Sequence, residues 1–359
     1  MVITTNKAPT LSIAIPTLNE SAHIEQVLHK FLSTKYPNLI EIFVADGNST
    51  DGTQDIVKKI SAEDPRVKLI NNPLKIQSAA LNQILKECSG DIYLRADAHS
   101  NYAPDYIEKS VEALIESKAM DAGGAQRFVA KNAFQSGVAL ASKSFIGSGG
   151  AKYRNPNYDG YADTVFLGCF WRKDLLEMSG YSVGRNEDAE LCLRLLEKNK
   201  QAIYVSSKVK VWYYPRNSRK GLWRQYVKCG RGRCLTHIKH TDKFHLRSRL
   251  PVFILPVMGI LLISAILSYI FGLGLHTEIL ILLALLVPVL EALRVTLKYR
   301  SNFSTDIWRG EAEATPSFAQ RFYCCLLALY TMPTAYNFGY LYQFFRVKLF
   351  QNNESIFFE

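Results

Sequence analysis

The sequence predicts an α/β domain built on a mostly parallel sheet, followed by apolar helices long enough to cross a bilayer. Three observations predict this. Short apolar runs alternate with amphipathic stretches through the first hundred residues. Small-residue turns carrying acids follow the apolar runs, where α/β sheets place their ligands. After Leu250 the composition changes, beginning with an uncharged apolar run to Leu275.

In chain order, Leu11–Pro16 (LSIAIP) reads as a buried strand. Ser21–Leu32 reads as a helix with Ile24, Val27, Leu28, Phe31 and Leu32 on one face. Glu41–Ala45 and Gly52–Ile60 form the second strand and helix, Val67–Ile70 and Ser78–Glu87 the third pair, and Asp91–Arg95 the fourth strand. This βαβαβαβ order puts helices on both faces of a parallel sheet. Residues 134–165, rich in Gly, Ser and Tyr and without a clear period, read as a long loop. Glu187–Glu197 returns to a helical pattern, and Ile203–Val205 and Val209–Tyr213 read as strands.

Leu250–Leu275 carries no charge and is long enough to span a membrane. Glu278–Leu297 is a second candidate, interrupted by Glu291 and Arg294, and aromatic-rich Phe322–Phe345 a third. The expected domains are therefore 1–235, a basic juxtamembrane segment 236–249, and a membrane domain 250–359 with two or three spans. The net charge of +11 is concentrated: residues 208–249 hold thirteen Lys and Arg against one acid, Asp242. A basic block directly before an apolar run suits anionic headgroups and places the collar on the cytoplasmic side of the inner membrane. No nucleic-acid motif accompanies it, so no nucleic-acid partner is expected. Seven cysteines, odd in number and without a CxxC pair, indicate a reducing compartment and no zinc site. The polar first ten residues show no cleavable secretory signal.

Four segments carry candidate chemistry. In Asp46–Thr53 (DGNSTDGT), a carboxylate just beyond a strand can accept hydrogen bonds from a base or ribose, although such a turn also serves simply to open a helix, with Ser49, Thr50 or Asp51 as its N-cap. In Arg95-Ala-Asp-Ala-His99, Asp97 and His99 are spaced to approach one divalent cation; a strand edge with two surface side chains is the plainer reading. Asn186–Glu190 (NEDAE) opens a helix, where acids are favoured by the helix dipole and one could act as a general base. Arg219–Arg233 mixes Trp223, Gln225 and Tyr226 with cations, which suits either a solvated basic face or a phosphate-bearing acceptor.

The running order LSIAIPTLNE, VADGNSTDGT, LRADAHSNYAPDYI, GCFWRKDLLEMSGY and RNEDAELCLRL resembles the family 2 glycosyltransferases over about residues 9–235. FIGSGGAKYR, ADTVFLGCF and YYPR followed by RQYVKCGRGR resemble its membrane-bound exopolysaccharide subgroup. The resemblance implies the inverting GT-A fold, a Rossmann-like mixed sheet, and transfer of one sugar from a nucleotide-diphosphate donor, UDP-linked by preference. The acceptor would be a saccharide or a lipid-linked sugar on polyprenyl diphosphate. It assigns Pro16, Thr17, Glu20, Asp46 and Asp97 to the donor and Asp97 and His99 to a metal. It also implies Asp188 as the catalytic base and Glu187, Trp171, Gln225 and Arg231 as acceptor contacts. The metal would be Mn²⁺ or Mg²⁺, with imidazole favouring Mn²⁺. The Q-x-x-R-W motif of processive relatives is absent, since Gln225 is followed by Tyr226-Val227-Lys228. A sugar-phosphate nucleotidyltransferase would carry a Gly-rich loop where IPTLNE stands. A catalytically silent membrane scaffold is the alternative from a different class.

Overall fold

The structure, a computed structural model, describes residues 8–184, 186–240, 250–272 and 277–350. Arg185 of the RNED run, residues 241–249 of the basic segment, and residues 273–275 of the first apolar run lie outside the described residues. The strands are β1 Leu11–Thr17, β2 Leu39–Asp46, β3 Val67–Asn71, β4 Ile92–Arg95, β5 Ser100–Tyr102, β6 Asp121–Phe128, β7 Gly160–Tyr161, β8 Phe166–Trp171 and β9 Ile203–Tyr213. The helices are α1 Ile24–Leu32, α2 Thr53–Glu63, α3 Gln77–Glu87, α4 Tyr106–Ser117, α5 Ala133–Ser142, α6 Phe145–Ser148, α7 Arg172–Glu177, α8 Glu187–Lys198, α9 Arg219–Lys239, α10 Ile254–Phe271, α11 Thr277–Lys298, α12 Phe303–Asp306 and α13 Phe318–Phe350. They form two compact units, one from residues up to Arg127 with Lys152–Tyr213, the other from Phe128–Ala151 with the chain after Tyr213.

The first unit is a sheet in the order β3-β2-β1-β4-β8-β6-β9-β5, with β7 on β9. Its strands read as continuous apolar runs because both faces are covered. Ile13, Ile15, Ile42, Val44, Ile92 and Leu94 pack with α1, α2 and α4 on one face. Ala14, Phe43, Ala45 and Tyr93 pack with α3 and α8 on the other. Nine residues are too few for α1 to hold alone. Burial of Ile24, Val27, Leu28 and Phe31 holds it, at about 2 kcal/mol for each fully buried side chain.

Three sequence expectations change. The sheet is parallel only through β3-β2-β1-β4; β4–β8, β6–β8, β5–β9 and β7–β9 are antiparallel. The strand–helix alternation that forces parallel pairing stops at Arg95. The two strands expected within 203–213 are one, β9. Residues 134–165 are not a long loop, since α5 and α6 form there. Asn132 caps α5, its Oδ1 accepting from Gln135 N–H at 2.9 Å. Every residue from Gln135 to Ser142 is buried, so no apolar stripe marked the helix in the sequence.

In the second unit, α13 packs along α9 and α5. Small residues allow the approach: Gly137 lies against the backbone of Cys324 and Cys325, Gly230 against the Tyr336 carbonyl, and Gly339 against the Val227 carbonyl. Helices α10 and α11 are long and apolar enough to cross a membrane, and among the described residues no others meet that measure. In α10 only Ser268 is buried, so its apolar surface is not consumed by packing within the chain.

Candidate active site

The register of the parallel strands assembles the site. Thr17 pairs with Asp46, and Ala14 with Arg95, so the carboxyl ends of β1, β2 and β4 lie side by side. The loop after β1 and the loop after β2 are laced together. Asn19 N–H donates to Ser49 Oγ at 2.7 Å, Thr50 N–H to Asn19 Oδ1 at 2.9 Å, Glu20 N–H to Thr53 Oγ1 at 2.9 Å, and Ser21 N–H to Asp51 Oδ2 at 3.0 Å. The Thr53 hydroxyl, with the Ser21 N–H, holds the Asp51 carboxyl below the usual carboxylate range. The N-cap of α2 is Gly52, at φ +92°, a conformation that favours glycine, rather than Ser49, Thr50 or Asp51.

Asp46 is buried. Its Oδ1 accepts from Ser49 N–H at 2.8 Å and Gln54 Nε2 at 2.7 Å, and its Oδ2 from Ser49 Oγ at 2.5 Å and Thr17 Oγ1 at 3.3 Å. The carboxylate therefore organises its own turn. Pro16 and Thr17 end β1.

Asp97 and His99 lie on the turn between β4 and β5. The buried Tyr102 pins that turn: its hydroxyl accepts from Asp97 N–H at 2.7 Å and donates to Asp97 C=O at 2.8 Å. Asp97 Oδ1 receives Gln77 Nε2 at 3.3 Å and sits 3.8 Å from Arg95 Nε. His99 Nδ1 is 3.1 Å from Glu20 Oε1. No group of three His, Cys, Asp or Glu that could hold a metal by itself occurs among the described residues. The donor set fits a cation that takes one carboxylate and one imidazole from the protein and the rest of its shell from a diphosphate and water. Both of these side-chain contacts of Asp97 fall on Oδ1, leaving Oδ2 for such an ion.

Helix α8 brings the third acidic segment to the same place. Asn186, at φ +65°, opens it, and Leu191, Cys192 and Leu195 anchor its inner face. Glu187 is buried with Oε1 3.6 Å from Arg95 Nη1. Asp188, next along the first turn, is exposed, and its Oδ1 accepts from Ala189 N–H at 2.7 Å. Arg95 thus stands between Asp97 and Glu187. Burial works against its charge, but Asp97, Glu187 and Asp188 hold the guanidinium more firmly protonated than usual. Burial, then the neighbouring Asp188 charge, pushes the Glu187 carboxyl up to about 7, with Arg95 pulling the other way.

The structure therefore gathers Asp97, Glu187 and Asp188 around Arg95, joins His99 to Glu20, and joins Asp46 to Thr17. It does not bring Trp171 to this rim. Trp171 pairs with Ile92, at the opposite end of β4 from Arg95, and packs on the apolar core. Along β4, three residue steps separate its partner Ile92 from Arg95, about 10 Å. Gln225 and Arg231 lie on α9 in the second unit, where Arg231 Nε donates to Gln343 Oε1 at 3.0 Å and its guanidinium covers the Tyr342 ring. Arg95 and Gln77 were missed as site residues. The signal for Arg95 was a cation ending an apolar strand, which must find a carboxylate once buried.

A model of the glycosyl transferase family 2 matches residues 12–172. The succinoglycan biosynthesis protein ExoA of Rhizobium meliloti (strain 1021) is 37% identical over 249 residues, 68% of this chain and 75% of its own. A Methanococcus voltae dolichyl N-acetyl-alpha-D-glucosaminyl phosphate 3-beta-D-2,3-diacetamido-2,3-dideoxy-beta-D-glucuronosyltransferase is 26% identical over 61% of this chain and 71% of its own. Among solved structures, the mannosyltransferase PcManGT of Pyrobaculum calidifontis, in complex with GDP-Man and Mn²⁺, superposes with a TM-score of 0.55 at 17% identity, covering 94% of this chain and 87% of that one.

Proposed function

This chain belongs to the family 2 glycosyltransferases, and from that premise we propose that it transfers one sugar from a nucleoside-diphosphate donor to a hydroxyl of a saccharide or lipid-linked acceptor at a membrane, in surface-glycan assembly. The observation that carries the reading is Arg95 between Asp97 and Glu187, two segments ninety residues apart in sequence joined at one strand end. The similarity to a succinoglycan biosynthesis protein and to a dolichyl-phosphate-sugar transferase supports a glycan product and a lipid-linked acceptor.

In this reading the loops after β1 and β2, fixed by Thr17, Glu20 and Asp46, hold the nucleoside side of the donor. Asp188 accepts the proton of the acceptor hydroxyl as it attacks the anomeric carbon from behind. The nucleoside diphosphate departs from the opposite face, so the configuration inverts without a covalent sugar–enzyme species. Asp188 is free to meet an acceptor because it is exposed, while its buried neighbour Glu187 pairs with Arg95. Asp97 and His99 would hold a divalent cation, which when bound neutralises charge on the diphosphate. On the resemblance alone, Glu187, Gln225 and Arg231 remain assigned to the acceptor. Helices α10 and α11 are read as membrane spans, with the catalytic unit cytoplasmic.

The test is a panel of UDP- and GDP-sugars assayed for donor hydrolysis and transfer by the full chain, with Mn²⁺, with Mg²⁺ and with chelator. One donor should turn over, faster in Mn²⁺ than in Mg²⁺, with loss of activity in chelator. Undiminished turnover in chelator would contradict the metal assignment, and inertness toward every donor would contradict the transfer reading.

A further inference from the structure

Three buried polar atoms near the Arg95 cluster have no hydrogen-bond partner among the described residues: Arg95 Nε, Asp121 Oδ1 and Tyr181 Oη. Their side chains are 9%, 2% and 3% exposed as whole residues. All three line one cavity of about 50 Å³, together with Phe166, Gly168 and Asp188. A water needs roughly 10–15 Å³ of such space, so the cavity holds a few water-sized groups. Gly168 keeps it open, because a Cβ there would run into Asp121 Oδ1 and the Phe170 ring.

The chemistry of the walls selects the occupant. Burial pushes the Asp121 carboxyl well above the usual range, although Cys169 N–H and the Arg95 charge oppose this. A neutral carboxylic acid and a phenol each donate and accept, while the guanidinium only donates. A cation is disfavoured by Arg95, and an anion by Asp188 and Glu187 beside it. A hydroxyl, which both donates and accepts, satisfies the set.

We infer that this cavity receives a hydroxyl of the sugar being transferred, and that Asp121 and Tyr181, with Arg95 Nε, are specificity-determining residues for the donor. The inference rests on reading Asp188 as the base, since that side chain also lines the cavity. A sugar hydroxyl seated there holds the anomeric carbon at a fixed distance from the carboxylate, and a donor lacking that hydroxyl leaves three buried polar groups unsatisfied.

The test uses the full chain as wild type, Asp121→Asn, Asp121→Leu and Tyr181→Phe. Each is assayed with UDP-glucose and GDP-mannose, and with the 2-, 3-, 4- and 6-deoxy analogues of whichever turns over. Binding of free UDP and GDP is measured in parallel. Wild type should disfavour one deoxy analogue by about tenfold or more in kcat/KM. Tyr181→Phe and Asp121→Leu should lose most of that preference, Asp121→Asn should keep it, and affinity for the free nucleoside diphosphate should not change. Tyr181→Phe retains the ring packed against Phe170, so the test survives if Asp121→Leu does not fold. Variants that discriminate across the series as wild type does, or that lose UDP or GDP affinity in parallel with the sugar nucleotide, would overturn the inference. A wild type inert toward both donors and toward every other nucleotide sugar of the panel above would instead overturn the transfer reading beneath it.

Discussion

Glu187 sits under two opposed influences: burial beside Asp188 drives its carboxyl toward the neutral form, and Arg95 at 3.6 Å favours the charged one. Burial prevails, and the carboxyl lies near 7 rather than at its ordinary 4.5. Between those values the folded chain holds a proton that the unfolded chain has released, so this group makes stability fall as pH rises through that window. Glu187→Gln cannot ionise. Its melting temperature should therefore gain on that of wild type between pH 5 and pH 8; a constant difference, or one of opposite sign, would contradict this placement. At this scale the sequence was partly legible. Asp97 and Asp188 could be named because each follows a readable element, the β4 strand or the opening of α8. Arg95 was not named, because its role depends on Glu187, far away in the sequence. Trp171 was misplaced for the same reason: antiparallel pairing of β8 with β4 decides which end of the sheet it occupies, and no local pattern encodes that pairing.

The second unit depends on close helix contact more than on bulk. Gly230 of α9 meets the Tyr336 carbonyl of α13, and Gly339 of α13 meets the Val227 carbonyl of α9. A side chain at either glycine forces the two backbones apart. His237 Nδ1 and Tyr340 Oη, 2.8 Å apart, and Arg231 with Gln343 would lose their register with it. Gly230→Leu should destabilise the chain by about 1–3 kcal/mol or more, read as a lowered melting temperature in detergent; an unchanged transition would show that α9 and α13 do not pack as described. The first four strands and their helices were legible because their patterns are local and strong. Helix α5 was not, because burial all round erases the periodicity by which helices are recognised.

Across the whole chain, the net charge of +11 and the apolar run after Leu250 support the proposed place at a membrane surface. The exposed leucines and isoleucines of α10 and α11 exceed what a soluble chain leaves uncovered. The protein should stay with the membrane pellet through an alkaline carbonate wash; release into the supernatant would refute α10 and α11 as spans. The central claim is narrower, that family 2 sugar transfer is performed here by the exposed carboxylate on the first turn of α8. Its most direct test is turnover by Asp188→Asn beside its affinity for the donor nucleotide sugar. Loss of a general base should lower kcat by about 10²–10⁴-fold with donor affinity retained. An Asp188→Asn protein that transfers sugar at the wild-type rate would contradict it.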